Sequence, residues 1–140
     1  LTDDLSLKVV ASYARHKYEA NIAPLGVRVS IDGNDMDTAP RLVGNVQLNW
    51  NINSQSSLNI EWVHMDDYYT DEANLHRYEG HDLVNLRYRY DSADNWYFAA
   101  RVTNLFDEDY AERADFSSFG GDRYFVGEPA SLYVTVGSRF

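Results

Sequence analysis

The residues best suited to hold a small ligand lie in one long polar segment, where tyrosine and arginine alternate with acidic residues. Tyr110, Arg113 and Arg123 belong to this segment. A tyrosine ring offers a flat surface for stacking, and arginine offers a planar fork that binds anionic oxygens. These residue types predict contacts with an aromatic, negatively charged small molecule. The preferred interpretation is that the same charged run shapes a surface loop, and ligand contact is the alternative.

Two groups of side chains contain the atoms that metal ions prefer. They are Asp32, Asp35 and Asp37, and Glu72, His76 and His81. The first group does not have the spacing of a calcium loop, and the second has no histidine pair at the short spacing typical of a metal site. A solvated charge cluster and polar loop tips are the preferred interpretations. We therefore expect no metal and no cofactor.

Other functional classes are excluded by composition and motif content. There is no Gly-x-Ser-x-Gly elbow, phosphate-binding loop or His-Glu-x-x-His motif, and no cysteine. The net charge of −10 is unfavourable for nucleic-acid binding, since phosphates are neutralised by Lys and Arg. The sequence thus indicates neither an enzyme nor a nucleic-acid partner.

The elements that position these residues are predicted to be strands, because apolar and polar residues alternate with a period of two. The predicted strands are Leu5–Tyr18, Arg41–Asn51, Ser57–Tyr69, His81–Tyr90, Asn95–Asn104 and Ser131–Phe140. Short turns alternate with long connections between them, as in a barrel with short periplasmic turns and long extracellular loops. The predicted fold is all-β, an antiparallel meander of about six long strands.

Aromatic residues and polar residues both fit a membrane barrel. Trp50 and Trp96 fall near the short turns, and Tyr13 and Tyr68 near the long loops, which is the placement of two interfacial girdles. The mean hydropathy of −0.49 and the absence of a long apolar run argue against a transmembrane helix. The arginines expected on the inward, polar face are Arg87, Arg89, Arg101 and Arg139. They would pair with acids or remain solvated.

The end of the chain carries the most specific family signal. The stretch Arg101–Tyr110 resembles the NLFD…Y segment of TonB-dependent receptors, and Gly127-Glu128-Pro129 followed by Ser131–Val134 resembles their closing strand. The terminal Phe140 resembles the signal that the barrel-assembly machinery reads. The family-motif residues are Asn104, Leu105, Phe106, Asp107, Tyr110, Gly127, Pro129 and Phe140.

This resemblance implies a function as well as a fold. Such receptors surround a plug domain with a barrel of roughly 22 strands, so residues 1–140 would be its C-terminal portion, open as a fragment. The resemblance implies a Gram-negative outer membrane containing lipopolysaccharide, coupling to TonB through a plug that is missing here, and uptake of a ferric siderophore. Cobalamin, haem and oligosaccharides are alternative cargoes. The alternative proteins are a small structural or adhesion barrel, which needs about eight strands, and a soluble β-sandwich binding module.

Overall fold

The chain runs back and forth as one antiparallel meander in the computed structural model, which describes residues 3–19 and 30–139. Its strands are β1 (Leu5–Tyr13), β2 (Leu42–Asn51), β3 (Ser56–Met65), β4 (Tyr68–Tyr69), β5 (Arg77–Tyr78), β6 (His81–Asp91), β7 (Trp96–Thr103), β8 (Ala111–Ser117), β9 (Gly121–Val126) and β10 (Ser131–Ser138). The main sheet has the order β1-β2-β3-β6-β7-β10. The predicted all-β meander is confirmed. Among the described residues, no helix is long and apolar enough to cross a bilayer.

The register of the ladders sorts the alternating residues onto two faces. One apolar row crosses all six strands and consists of Leu7, Leu48, Ile60, Leu86, Val102 and Leu132. The next row, on the opposite face, consists of Ser6, Asn49, Asn59, Arg87, Arg101 and Tyr133. A shift of one residue in any strand would move its apolar side chains to the polar face, so this alternation specifies the register.

The apolar face of the main sheet is uncovered. Val9, Leu132 and Val136 are 61%, 66% and 69% exposed. In a soluble β-sandwich the same face would be buried against a second sheet about 10 Å away. Because these side chains remain exposed, the sandwich alternative does not match the structure.

The third predicted strand is too long, because its end changes partner. β3 stops at Met65 and not at Tyr69, and Tyr68–Tyr69 pairs instead with Arg77–Tyr78 as the short hairpin β4–β5. Gly80, with a φ of +79°, lies against the Met65 carbonyl where the chain re-enters the main sheet. The alternation of apolar and polar residues is interrupted at Asp66-Asp67, between the end of β3 and the start of β4.

The first predicted strand is also too long, and the last long connection contains strands of its own. β1 ends at Tyr13 and not at Tyr18, and Lys17 forms an isolated bridge with Asp35 in the loop region. The hairpin β8–β9 occupies part of the segment expected to be a loop. The other four predicted strands agree with the structure to within two residues at each described end.

Candidate functional site

Two hairpins pack together at the long-loop end of the main sheet. Tyr68 and Tyr78, from β4 and β5, are buried with Ala111 and Ala114 of β8. The Tyr68 hydroxyl accepts a hydrogen bond from the Ala114 amide at 2.7 Å, and the Tyr78 hydroxyl accepts one from the Ala111 amide at 3.0 Å. Burial raises the pKa of both tyrosines, which keeps their hydroxyls neutral. The alternation of the sequence did not predict this cluster, and a pair of tyrosines at a loop boundary was the available signal.

The segment after β7 turns around a buried asparagine. Asn104 is 3% exposed and has a φ of +49°. Its amide nitrogen donates to the carbonyls of Glu108 at 2.9 Å and Glu128 at 3.1 Å, and its amide oxygen accepts from the Glu108 amide at 2.9 Å. The Asp107 carboxylate accepts a further hydrogen bond from the Ala130 amide at 2.8 Å. These bonds tie the turn to the segment that leads into β10.

Tyr110 packs on a glycine in that same segment. A Cβ added to Gly127 would overlap the Tyr110 ring, so only glycine fits beneath it. The Tyr110 hydroxyl accepts a hydrogen bond from the Glu128 amide at 3.2 Å, and the His81 ring lies 4.7 Å away, centroid to centroid. The structure thus brings Tyr110 and Gly127, which lie far apart in the motif, into direct contact.

The other residues of the family motif point outward or lie outside this contact. Leu105 and Phe106 are 37% and 74% exposed, and Pro129 is also exposed. The backbone of Leu105 is anchored by a hydrogen bond to the Val84 carbonyl at 2.8 Å. Phe140 lies outside the described residues.

Arg113 and Arg123 converge on one buried carboxylate. Asp115 of β8 is 6% exposed and faces Arg123 of β9 in the ladder. Arg113 Nη2 lies 3.1 Å from Asp115 Oδ2, and Arg123 Nε lies 2.6 Å from Oδ1. Both arginine side chains remain more than half exposed, so their remaining N–H groups can meet a ligand. Tyr110 has different partners, which means that two of the three predicted contact residues share a site.

Two of the acidic residues considered as metal ligands, Asp35 and Asp37, have basic or hydroxyl partners. Asp35 is paired with Arg41 at 2.5 Å and with Arg15 at 3.5 Å. Burial alone would raise the pKa of Asp35, but the hydrogen bond and charge of Arg41 outweigh it and hold the pKa below its usual value. Tyr18 donates a hydrogen bond to Asp37, and burial together with that carboxylate raises the pKa of Tyr18 to about 12.

The two histidines considered as metal ligands, His76 and His81, have separate partners. The His76 ring stacks on Phe116 with 3.7 Å between centroids, and His76 Nδ1 lies 3.3 Å from an Asp122 oxygen. His81 Nδ1 instead lies 2.9 Å from the Tyr78 hydroxyl. His76 therefore links the loop that carries β4–β5 to the hairpin β8–β9.

The polar face of the main sheet is organised around a buried glutamate. Glu61 of β3 is 8% exposed and accepts hydrogen bonds from Gln47 at 2.9 Å and Asn85 at 3.2 Å. Arg87 Nη2 lies 3.6 Å from Glu61 Oε2. Hydrogen bonds from amide side chains on both neighbouring strands thus stabilise the Glu61 carboxylate, which burial removes from water.

An open meander with an uncovered apolar face, a polar opposite face and structured loops at one end defines the wall of a β-barrel. The chain belongs to the family described as TonB dependent receptor-like, beta-barrel, whose model matches residues 1–105. The resemblance to TonB-dependent receptors is thereby confirmed. No curated protein matches the sequence significantly.

Solved structures extend the likeness of fold to nearly the whole chain. The siderophore receptor PiuA from Acinetobacter baumannii has a TM-score of 0.80 at 18% identity, over 97% of this chain and 20% of PiuA. The ferric citrate transporter FecA has a TM-score of 0.77 at 19% identity, over 96% of this chain and 21% of FecA. The ferric yersiniabactin uptake receptor FyuA from Yersinia pestis has a TM-score of 0.76 at 14% identity, over 96% and 21%. The chain therefore spans about a fifth of each of these proteins.

Proposed function

We propose that residues 1–140 form the C-terminal strands of an outer-membrane receptor that takes up a scarce nutrient with energy supplied through TonB. The observation that carries this proposal is the uncovered apolar row on a sheet whose other face is polar. Such a sheet is stable where lipid covers one face and a polar interior meets the other. In this setting the outward partners are outer-membrane lipid and lipopolysaccharide.

The first choice of cargo is a ferric siderophore. PiuA is described as a siderophore receptor and FyuA as a ferric yersiniabactin uptake receptor, which supports this choice for the present chain. OprC, a copper transporter with a TM-score of 0.69, represents the alternative of a different metal cargo. Within this chain, the exposed N–H groups of Arg113 and Arg123 suit the negative charge of a siderophore.

Tyr110 has a different role in this proposal. Its ring is half-buried on Gly127 and its hydroxyl is already hydrogen bonded, so it positions the hairpin that carries the two arginines. The turn at Asn104 would act in the same way, by holding β10 beside β7. The C-terminal strand would also present Phe140 to the barrel-assembly machinery.

The test uses the full-length receptor in a bacterium from which its own gene has been deleted. Cells are grown under iron limitation and supplied with ferric siderophores of catecholate, hydroxamate and carboxylate type, and uptake of labelled iron is measured. The proposal predicts uptake of one class, and loss of that uptake when TonB is absent. Uptake of copper in place of iron would favour the alternative cargo, and no TonB-dependent uptake of any metal would contradict the siderophore proposal.

The contribution of the arginines is tested in the same cells. Replacing both with glutamine is expected to lower the affinity for the siderophore about tenfold or more, because charge-assisted hydrogen bonds are lost. Arg77 provides the matched control, since it is an exposed arginine of β5 that pairs with Asp67 and lies outside the hairpin β8–β9. Arg77→Gln should leave affinity unchanged, and equal effects of the two substitutions would argue against a specific role for Arg113 and Arg123.

A further inference from the structure

Two long connections are joined to each other by one asparagine side chain. We call residues 30–41, which lead into β2, loop 1, and residues 66–80, which connect β3 to β6, loop 2. The Asn74 side chain of loop 2 binds both polar groups of the Asp35 backbone in loop 1. Its oxygen accepts a hydrogen bond from the Asp35 amide at 2.9 Å, and its nitrogen donates one to the Asp35 carbonyl at 2.8 Å. Asn74 thus pairs with loop 1 as the backbone of a neighbouring strand would.

The turn around Asn74 is built to present this side chain. Asn74 has a φ of +57°, a conformation that asparagine adopts more readily than most residues. Its backbone amide donates to the Asp71 carbonyl at 3.1 Å. The Asp71 carboxylate accepts hydrogen bonds from the amides of Leu75 at 2.8 Å and His76 at 2.7 Å. The side chain that reaches loop 1 is therefore carried by a closed, hydrogen-bonded turn.

Loop 2 also supports the hairpin β8–β9 from one face. The Thr70 carbonyl accepts a hydrogen bond from the Phe116 amide at 2.9 Å. The His76 ring stacks on Phe116 with 3.7 Å between centroids and lies 3.3 Å from an Asp122 oxygen. Phe116 and Asp122 face each other in the ladder, one position from Arg123. Because successive residues of a strand point to opposite faces, His76 contacts the face opposite to that of Arg123.

Loop 2 is thus bonded to loop 1 through Asn74 and to the hairpin through His76, two residues further along the chain. We propose that Asn74 is a positioning residue of the ligand site, although it does not touch the ligand. By fixing loop 2 to loop 1, it holds the hairpin with Arg113 and Arg123 in one place before a ligand arrives. The proposal rests on the proposed function, which gives the two arginines their ligand. A site ordered in advance binds more tightly, because no loop has to be ordered on binding.

A distance measurement without ligand tests whether the loops form one unit. Met36 in loop 1 and Ser118 at the tip of the hairpin are exposed, and both are replaced by cysteine and spin-labelled in the full-length receptor. Any cysteine in the rest of the receptor is replaced by serine. Pulsed electron paramagnetic resonance should give one narrow distance distribution, unchanged when a ferric siderophore is added.

Glycine variants then test the role of the asparagine. Asn74→Gly removes the hydrogen bonds to Asp35 and keeps the positive φ without strain, so we expect a broader distribution. The matched control is Asn95→Gly, because Asn95 is an exposed asparagine with a φ of +61° in the short turn between β6 and β7. The control should leave the distribution narrow.

Ligand binding is measured on cells that lack TonB, so that transport does not interfere. The probes are the three labelled ferric siderophores of the uptake assay. For the one that binds, Asn74→Gly should raise the Kd about three- to tenfold, because the loops must then be ordered on binding. The number of binding sites per cell should stay the same, whereas misfolding would lower that number. The combined substitutions Arg113→Gln and Arg123→Gln should lower the affinity less in Asn74→Gly than in the unsubstituted receptor.

Three results would each overturn the role of Asn74 while uptake, and hence the proposed function, stands. They are a broad distribution in the unsubstituted receptor that narrows only when ferric siderophore is added, a distribution in Asn74→Gly as narrow as in the control, and additive effects of Asn74→Gly and the arginine substitutions. Absence of TonB-dependent uptake would instead overturn the proposed function, and with it the role of Asn74 towards a ligand.

Discussion

The buried asparagine at the end of β7 allows the strongest test of how the closing segment is held. In Asn104→Ala, two backbone carbonyls and one backbone amide of Glu108 and Glu128 lose their side-chain partner. Each buried group left without a partner costs about 1–3 kcal/mol. Because water can reach part of this exposed turn and replace some of the lost bonds, we expect the free energy of unfolding to fall by about 2–4 kcal/mol in total. Alanine at the positive φ of Asn104 adds about 1 kcal/mol.

Asn104→Gly separates these two contributions. Glycine adopts a positive φ without strain but makes none of the side-chain hydrogen bonds, so the free energy of unfolding should fall by about 2–4 kcal/mol. This is the effect expected for alanine without the cost of its backbone conformation. Asn95 in the short turn between β6 and β7 is the matched control, because its φ is +61° and it is exposed. Asn95→Ala should cost only about 1 kcal/mol and Asn95→Gly almost nothing.

The assay is urea unfolding of the full-length receptor in phospholipid vesicles, followed by loss of the folded, heat-modifiable band on a gel. Differences in unfolding free energy between variants are obtained by linear extrapolation. If Asn104→Gly is as stable as the unsubstituted protein while Asn104→Ala is not, the hydrogen bonds to Glu108 and Glu128 contribute nothing. The asparagine would then serve only its backbone conformation, and the account of a side chain that ties the turn to β10 would be wrong.

Three further predictions concern the apolar face, the motif glycine and the first loop region. Val134→Arg should impair membrane assembly by about 2–4 kcal/mol, whereas Thr135→Arg on the polar face should be tolerated, as measured by the folded fraction in outer membranes. Gly127→Ala should destabilise the receptor by about 1–3 kcal/mol because its Cβ overlaps the Tyr110 ring. The double variant with Gly127→Ala and Tyr110→Ala should lose less unfolding free energy, measured in urea, than the two single variants lose together. In a pH titration of the folded protein, the difference in tyrosinate absorbance between the unsubstituted protein and Tyr18→Phe should appear near pH 12 and not near pH 10.

The sign of the Tyr18 effect follows from the direction of the shift. Its folded pKa is raised above the unfolded value of 10.0 to about 12, so the neutral hydroxyl contributes stability that is fully present below pH 10 and lost as the pH rises towards 12. Titration of Tyr18 at its ordinary pKa would contradict the partly buried hydrogen bond to Asp37. Equal loss of assembly for arginine at Val134 and at Thr135 would contradict the assignment of the two faces, and additive effects at Gly127 and Tyr110 would contradict their contact.

The sequence by itself was sufficient for the sheet. Apolar residues at every second position identify the strands, and the same alternation specifies which side chains share a face, because a shift of one residue would reverse every side chain. The residues of the rows from Leu7 to Leu132 and from Ser6 to Tyr133 are assigned to their faces by this rule, although which residues lie opposite each other depends on the ladders. The motif from Asn104 to Tyr110, together with the closing strand, was also enough to identify the family.

Only the tertiary structure decided how the loops are built. The Tyr68 hydroxyl bonds to the backbone of Ala114, 46 residues away, and Asn104 bonds to Glu128, 24 residues away. No period in the sequence records such contacts, because they arise from the order of the strands, which brings distant hairpins to one end of the sheet. The pairing of Arg87 with Arg101 depends in the same way on the register between β6 and β7. Alternation is a local property of each strand, whereas a loop contact is the joint result of every ladder between its two ends.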